Sequence, residues 1–129
     1  MKIKIACVGK LKDGFYREAV AEYAKRLSRF CTLEIAEVTD EKAPETLSPA
    51  EERQVMEREG ERLLAKVSPG EFAVALCVEG KRMDSPAFAA FLQDAFVNHA
   101  PTVTFFIGGS LGLSPAVLAR ADAKVSLSD

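Results

Sequence analysis

Residues 105–115, Phe105-Phe106-Ile107-Gly108-Gly109-Ser110-Leu111-Gly112-Leu113-Ser114-Pro115, run from bulky apolar residues through three glycines to a Ser-Pro pair. The apolar residues have the character of a buried strand. Ser-Pro marks a helix start, because the hydroxyl caps free N–H groups and the proline has none to leave unsatisfied. The segment therefore reads as strand, glycine loop and helix, a unit of open parallel sheets. In such sheets ligands bind outside the carboxyl ends of the strands, where loops lead into helices. Glycines there permit positive φ and let the backbone approach a ligand without Cβ atoms in the way.

The same alternation extends along the chain. Apolar runs at 3–8, 33–38, 72–78, 102–107 and, more weakly, 123–127 read as strands. Segments of helical period separate them at 14–30 (Phe15, Ala19, Tyr23, Leu27), 49–67 (Met56, Leu63, Leu64, Val67), 86–99 and 115–121. Strict alternation predicts an α/β domain with a parallel sheet and helices on both faces. Two further helix starts repeat the Ser-Pro device, Ser48-Pro49 and Ser85-Pro86, and Glu51 adds a capping box to the first. Gly60 lies inside the second helix, where it costs about 1 kcal/mol relative to alanine. A close approach to the sheet or to a partner is the expected reason. Phe88, Phe91, Leu92 and Phe96 have the spacing of a core-facing stripe rather than of an aromatic ligand site.

At 129 residues, 48% hydrophobic and 28% charged, the chain fits one soluble globular domain spanning 1–129. The first apolar run is too short for a signal peptide, and no run approaches a membrane span, so the cytoplasm is the expected location. Cys7, Cys31 and Cys77 are odd in number and widely spaced, which suggests neither disulfides nor zinc. They are expected to be buried, inert thiols. Net charge is −2 but unevenly spread: residues 1–30 carry +5, 31–71 carry −6 and 72–129 carry −1. Lys10, Lys12, Arg17, Lys25, Arg26 and Arg29 could form a phosphate-facing surface, though a solvated helix face is the simpler explanation.

The glycine loop excludes several chemistries. Gly108, Gly109 and Gly112 do not fit G-x-G-x-x-G, and no Gly-Lys-Ser/Thr follows as a P-loop requires. Ser110 has no nucleophile elbow around it, and the single histidine, His99, closes the third helix. What remains is an uncharged loop of backbone donors and acceptors. It suits the adenine and ribose of a cofactor better than a reactive centre.

Met1-Lys2-Ile3, Ala6-Cys7-Val8-Gly9-Lys10-Leu11-Lys12, Ala21-Glu22-Tyr23-Ala24-Lys25-Arg26-Leu27 and Asp40-Glu41-Lys42-Ala43-Pro44-Glu45 follow one another in a distinctive order. Glu59-Gly60-Glu61-Arg62-Leu63-Leu64, Glu79-Gly80-Lys81, Ile107 to Leu113 and Leu127-Ser128 continue it. Together they resemble the ribosomal RNA large subunit methyltransferase H family, over nearly the whole chain. The resemblance implies a SPOUT methyltransferase using S-adenosyl-L-methionine, an α/β domain with a C-terminal trefoil knot that works as a homodimer. The implied reaction is methylation of N3 of a pseudouridine in 23S ribosomal RNA on the assembled ribosome, with no metal and no membrane partner. Carried onto this chain, the cofactor contacts fall on Leu76, on Gly108 with Gly109, and on the segment Leu127-Ser128-Asp129. The resemblance leaves the catalytic proton acceptor and the RNA-contacting residues unassigned.

The family continues beyond the position of Asp129 with a loop and a long helix that complete the cofactor pocket and form the knot. A chain ending at Asp129 is expected to be unknotted, marginally stable or self-associating, and unable to methylate ribosomes; a parent chain that continues past Asp129 lifts all three expectations. Two other functions remain: a non-catalytic nucleotide- or phosphate-binding module, which the alternation of elements fits equally, and an inactive interaction fragment, which a chain ending at Asp129 makes realistic.

Overall fold

The computed structural model describes residues 1–9, 14–41, 46–109 and 111–127. Among these residues five strands alternate with four helices: β1 (Lys2–Val8), α1 (Gly14–Leu27), β2 (Thr32–Val38), α2 (Pro49–Leu64), β3 (Phe72–Arg82), α3 (Ser85–Asn98), β4 (Thr102–Ile107), α4 (Pro115–Arg120) and β5 (Ala123–Ser126). The strands form one sheet in the order β2-β1-β4-β3-β5, and every pairing is parallel. The expected α/β architecture is therefore the one adopted.

Two apolar layers sandwich the sheet. Ala6, Val38, Ala73 and Phe106 meet Leu63 of α2 and Val117 of α4 on one face. Val74, Val103, Phe105 and Val125 meet Ala95 of α3 on the other, where Phe88, Phe91, Leu92 and Phe96 pack as the expected stripe. Residues 73–75 and 103–106 are buried without a break, as befits central strands covered on both sides. Right-handed crossovers put α1 on the side of α3. Two of the periodic residues of α1 stand in solvent: Tyr23 is 64% and Leu27 42% exposed.

Local chemistry explains the helix starts, with one correction. Ser48 caps α2 in a complete capping box with Glu51, and Ser114 Oγ accepts from the Val117 N–H. In α3 the cap is Asp84, not Ser85: its carboxylate accepts from the Ala87 N–H, moving Ser85 and Pro86 into the first turn. Aspartate caps as well as serine, and capping from residue 84 adds a residue to the helix. Two helices are shorter than their apolar period suggests, with α1 stopping at Leu27 and α2 at Leu64.

The third strand departs most from expectation, running to Arg82. Leu76 pairs with Val125, the pairing lapses over 77–80, and Lys81 then pairs with the same Val125. Four residues thus loop out of the sheet before the strand resumes. Gly80 makes the return feasible, since a Cβ there would lie 2.5 Å from the Val125 backbone N.

Lys4 faces the α2 side of β1 and is buried with Glu71, the two side chains 11% and 12% exposed. Its ammonium donates to both Glu71 carboxylate oxygens and to the Lys66 carbonyl, while Thr104 Oγ1 donates to Glu71. Arg120 donates to the Ser68 and Glu71 carbonyls and pairs with Asp122, whose carboxylate accepts from the Ala73 N–H. This network fastens the α2–β3 connection beneath the sheet, and its members satisfy one another as buried polar groups must.

Candidate functional site

The chain leaves β3 toward α3 on one face and leaves β4 toward α4 on the other. Connections that diverge in this way open a crevice at the carboxyl ends of the two strands. A cavity of about 310 Å³ lies there, walled by Leu76–Glu79 from the β3 bulge and by Ile107–Gly109 and Leu111–Leu113 from the glycine loop, with Leu118 of α4 beside them. An adjoining cavity of about 290 Å³ shares Leu76–Val78 and continues along Val125–Leu127.

The glycine loop is a tight turn. The Gly112 N–H donates to the Gly109 carbonyl, and Gly112 has φ +88°, the left-handed region that favours glycine. Gly108 is required by close approach: a Cβ there would come within 2.7 Å of the Gly112 carbonyl carbon.

Glu79 is the one carboxylate among the described residues lining the larger cavity, and none of those residues is a cation. The Cys77 thiol lies in both linings, and burial, then the negative charge of Glu79, pushes its pKa up. A thiol held protonated in this way is a poor nucleophile at neutral pH. Around the mouth, apolar side chains stand in solvent: Val78 is 81%, Leu127 60% and Ile107 40% exposed.

The structure brings Leu76, Gly108 and Gly109 together around one cavity and sets Leu127 beside Leu76 in the next. Ser128 and Asp129 lie outside the described residues, as does Ser110 of the loop. Leu76 is not the end of its strand, as the sequence suggests, but the last residue before the bulge. Sequence periodicity did not nominate Cys77, Val78 and Glu79, because the apolar run reads as a strand up to Val78. Gly80 was the available signal of a break.

Glu59 was also missed. It is 6% exposed on α2, its Oε2 accepts from the Glu41 N–H at 3.0 Å, and its Oε1 lies behind Gly109. Its neighbour Gly60 presents a bare Cα to α4, where a Cβ would collide with Ser114 Oγ and lie 3.2 Å from Val117 Cγ2. The close approach expected at Gly60 is therefore to a helix and not to the sheet.

Other candidates resolve differently. Cys7, Cys31 and Cys77 are free but only half-buried, because strand ends and turns leave one side open. His99 caps the end of α3 with its ring 4.7 Å from that of Phe72. Lys25, Arg26 and Arg29 are exposed, and Arg26 pairs with Glu22 and lies over the Tyr23 ring. Lys10 and Lys12 lie outside the described residues, as does the side chain of Arg17. Among the described residues, no three His, Cys, Asp or Glu side chains gather as a metal site would require, and no helix is long and apolar enough to cross a membrane.

Comparison with known proteins agrees with this geometry. The model of a family described as "Predicted SPOUT methyltransferase" matches residues 1–129. The chain is 55% identical over 126 residues to the ribosomal RNA large subunit methyltransferase H of Ligilactobacillus salivarius, covering 98% of this chain and 79% of the relative. Proteins of the same name from Levilactobacillus brevis and Carboxydothermus hydrogenoformans are 54% and 50% identical, with the same coverage. A parallel α/β sheet with a glycine-loop crevice, a family match along the whole chain and half-identical relatives lead to one conclusion: the chain belongs to the SPOUT methyltransferase family.

Proposed function

We propose that this protein is an S-adenosyl-L-methionine-dependent methyltransferase of large-subunit ribosomal RNA, acting as a homodimer on N3 of a pseudouridine. The observation that carries the reading is the character of the crevice between β3 and β4: a glycine loop, apolar walls, one carboxylate and no cation among the described lining residues. Such a lining suits a cofactor that is apolar and cationic, and it offers no charged partner to the phosphates of ATP or NAD. Bound there, S-adenosylmethionine would supply a methyl group on a positively charged sulfur.

The chain's own contribution is alignment. The backbone of Gly108, Gly109, Leu111 and Gly112 would hold adenine and ribose, Leu76 and Leu113 would exclude water, and Glu79 would favour the cation. At the N-terminus of α4, Ser114 is 1% exposed and its hydroxyl accepts from the Val117 N–H, so one of the free donors there is already satisfied. An in-line displacement by the base nitrogen needs this fixed geometry and loss of the N3 proton. The thiol in the crevice, Cys77, is not activated to help, since burial raises its pKa. The apolar side chains exposed on α1 and the turn after it, Tyr23, Leu27 and Phe30, support a second copy as partner.

Calorimetric titration with S-adenosylmethionine, ATP and NAD tests the cofactor. Binding of the first alone is expected, and binding of ATP or NAD without it would overturn the reading. For the target, ribosomes lacking the modification are incubated with methyl-labelled cofactor and either this chain or a relative of full family length, and the labelled nucleoside is identified by mass. Label on any nucleoside other than N3-methylpseudouridine would overturn the assignment of the base.

A further inference from the structure

We propose that Glu59 is a positioning residue for the glycine loop, setting the loop in register with the segment that follows β2. This rests on reading that loop as the cofactor wall. Two adjacent residues of α2 touch the two ends of the loop. The Glu59 carboxylate stands behind Gly109, so close that a Cβ added at Gly109 would lie 2.9 Å from Oε1. The bare Cα of Gly60 receives Ser114, the residue that ends the loop and caps α4.

The same turn of α2 also holds the segment after β2. Glu59 Oε2 accepts from the Glu41 N–H, Arg62 donates to the Thr39 carbonyl at 2.8 Å, and Arg58 and Arg62 both pair with the Glu41 carboxylate. Arg58 first, then Arg62, keeps the Glu41 carboxyl below its ordinary pKa, so it stays charged and the pairs persist at neutral pH. One buried carboxylate thus separates two loops at the same edge of the sheet and touches both. Its reach, from α2 to the back of Gly109, sets how far the loop can settle toward the helix and hence where its cavity-facing backbone lies.

Length and charge can be separated experimentally. Glu59→Gln keeps the reach, the bulk and an acceptor oxygen but removes the charge, whereas Glu59→Asp keeps the charge and shortens the reach. Both variants of the full chain are titrated calorimetrically with S-adenosylmethionine and S-adenosylhomocysteine, which differ in the charge on sulfur. Unliganded samples are compared by hydrogen–deuterium exchange.

Glu59→Asp should weaken both ligands by the same factor, about tenfold, as expected when a charged hydrogen bond is misplaced. Its exchange should rise together over residues 39–41 and 108–113 while 73–75 and 103–106 stay protected. Glu59→Gln should restore both ligands to within about threefold of wild type. Unchanged affinity in Glu59→Asp would overturn the proposal. So would loss of S-adenosylmethionine alone in Glu59→Gln, which would mean that Glu59 acts through its charge on the cofactor. If wild type binds neither ligand while a relative of full family length binds neither as well, the cofactor reading fails by itself; in either case the exchange pattern decides the positioning role, and a rise confined to 39–41 overturns it.

Discussion

Gly80 and Gly60 show how much a missing side chain can determine. Each lies in an element where glycine is unfavourable, and each is explained by what a Cβ would strike. At Gly80 the obstacle is the backbone of Val125 and Lys124, at 2.5 to 2.8 Å, which cannot move without unpairing β5. Gly80→Ala should therefore destabilise the chain by about 1–3 kcal/mol, the usual cost of overpacking. Raised amide exchange in β5 and the 77–80 bulge, with β1 and β4 unchanged, would locate the damage. A lowered urea midpoint with uniform exchange would place it elsewhere.

At the scale of elements, the helix starts are the most local decisions in the chain, yet one was assigned to the wrong residue. Asp84 and Ser85 both match a capping residue, and the pattern Ser-Pro favours the second. The structure uses the first because the Asp84 carboxylate reaches the Ala87 N–H while Ser85 already has a place in the helix. Asp84→Ala should cost about 1 kcal/mol in chemical denaturation, as loss of a cap does, and Ser85→Ala should cost only a few tenths. Equal losses would contradict the assignment. The β3 bulge belongs to this scale too, for it turns an ordinary strand end into one wall of the crevice and carries Glu79 to its lining.

Across the whole molecule, the Lys4–Glu71 network ties β1, β4 and the α2–β3 connection together. Burial pushes the Glu71 carboxyl up, but hydrogen bonds from Thr104, Lys4 and the Ser68 N–H, with the charge of Lys4, together bring its pKa below the ordinary value. A carboxylate whose pKa is lower in the folded than in the unfolded state contributes stability that is complete above its unfolded pKa, about 4.3. That contribution is lost as pH falls through the folded value. Urea midpoints should therefore be steady from pH 7 to about 5 and then fall steeply in the acid range. Glu71→Gln should be less stable than wild type at pH 7 and show a shallower fall below pH 5. An acid slope identical to that of wild type would mean that other carboxylates, such as the exposed Glu34 and the half-buried Glu41, dominate.

The alternation of strands and helices, the parallel sheet, the core stripe of α3 and the position of the glycine loop were all legible in the sequence. Each depends on residues within one element or its neighbour: apolar period reports which way side chains point, and Ser-Pro, Asp and Gly report where the backbone can turn. Leu76, Gly108 and Gly109 could be nominated together from family resemblance, but only the strand order β2-β1-β4-β3-β5 makes them neighbours. The tertiary structure alone decided that Lys4 is buried against Glu71, that Leu76 precedes a bulge, and that Glu59 stands behind Gly109. Contacts between residues so far apart in the chain follow from which strands pair and which face each helix covers, and no local pattern encodes that choice.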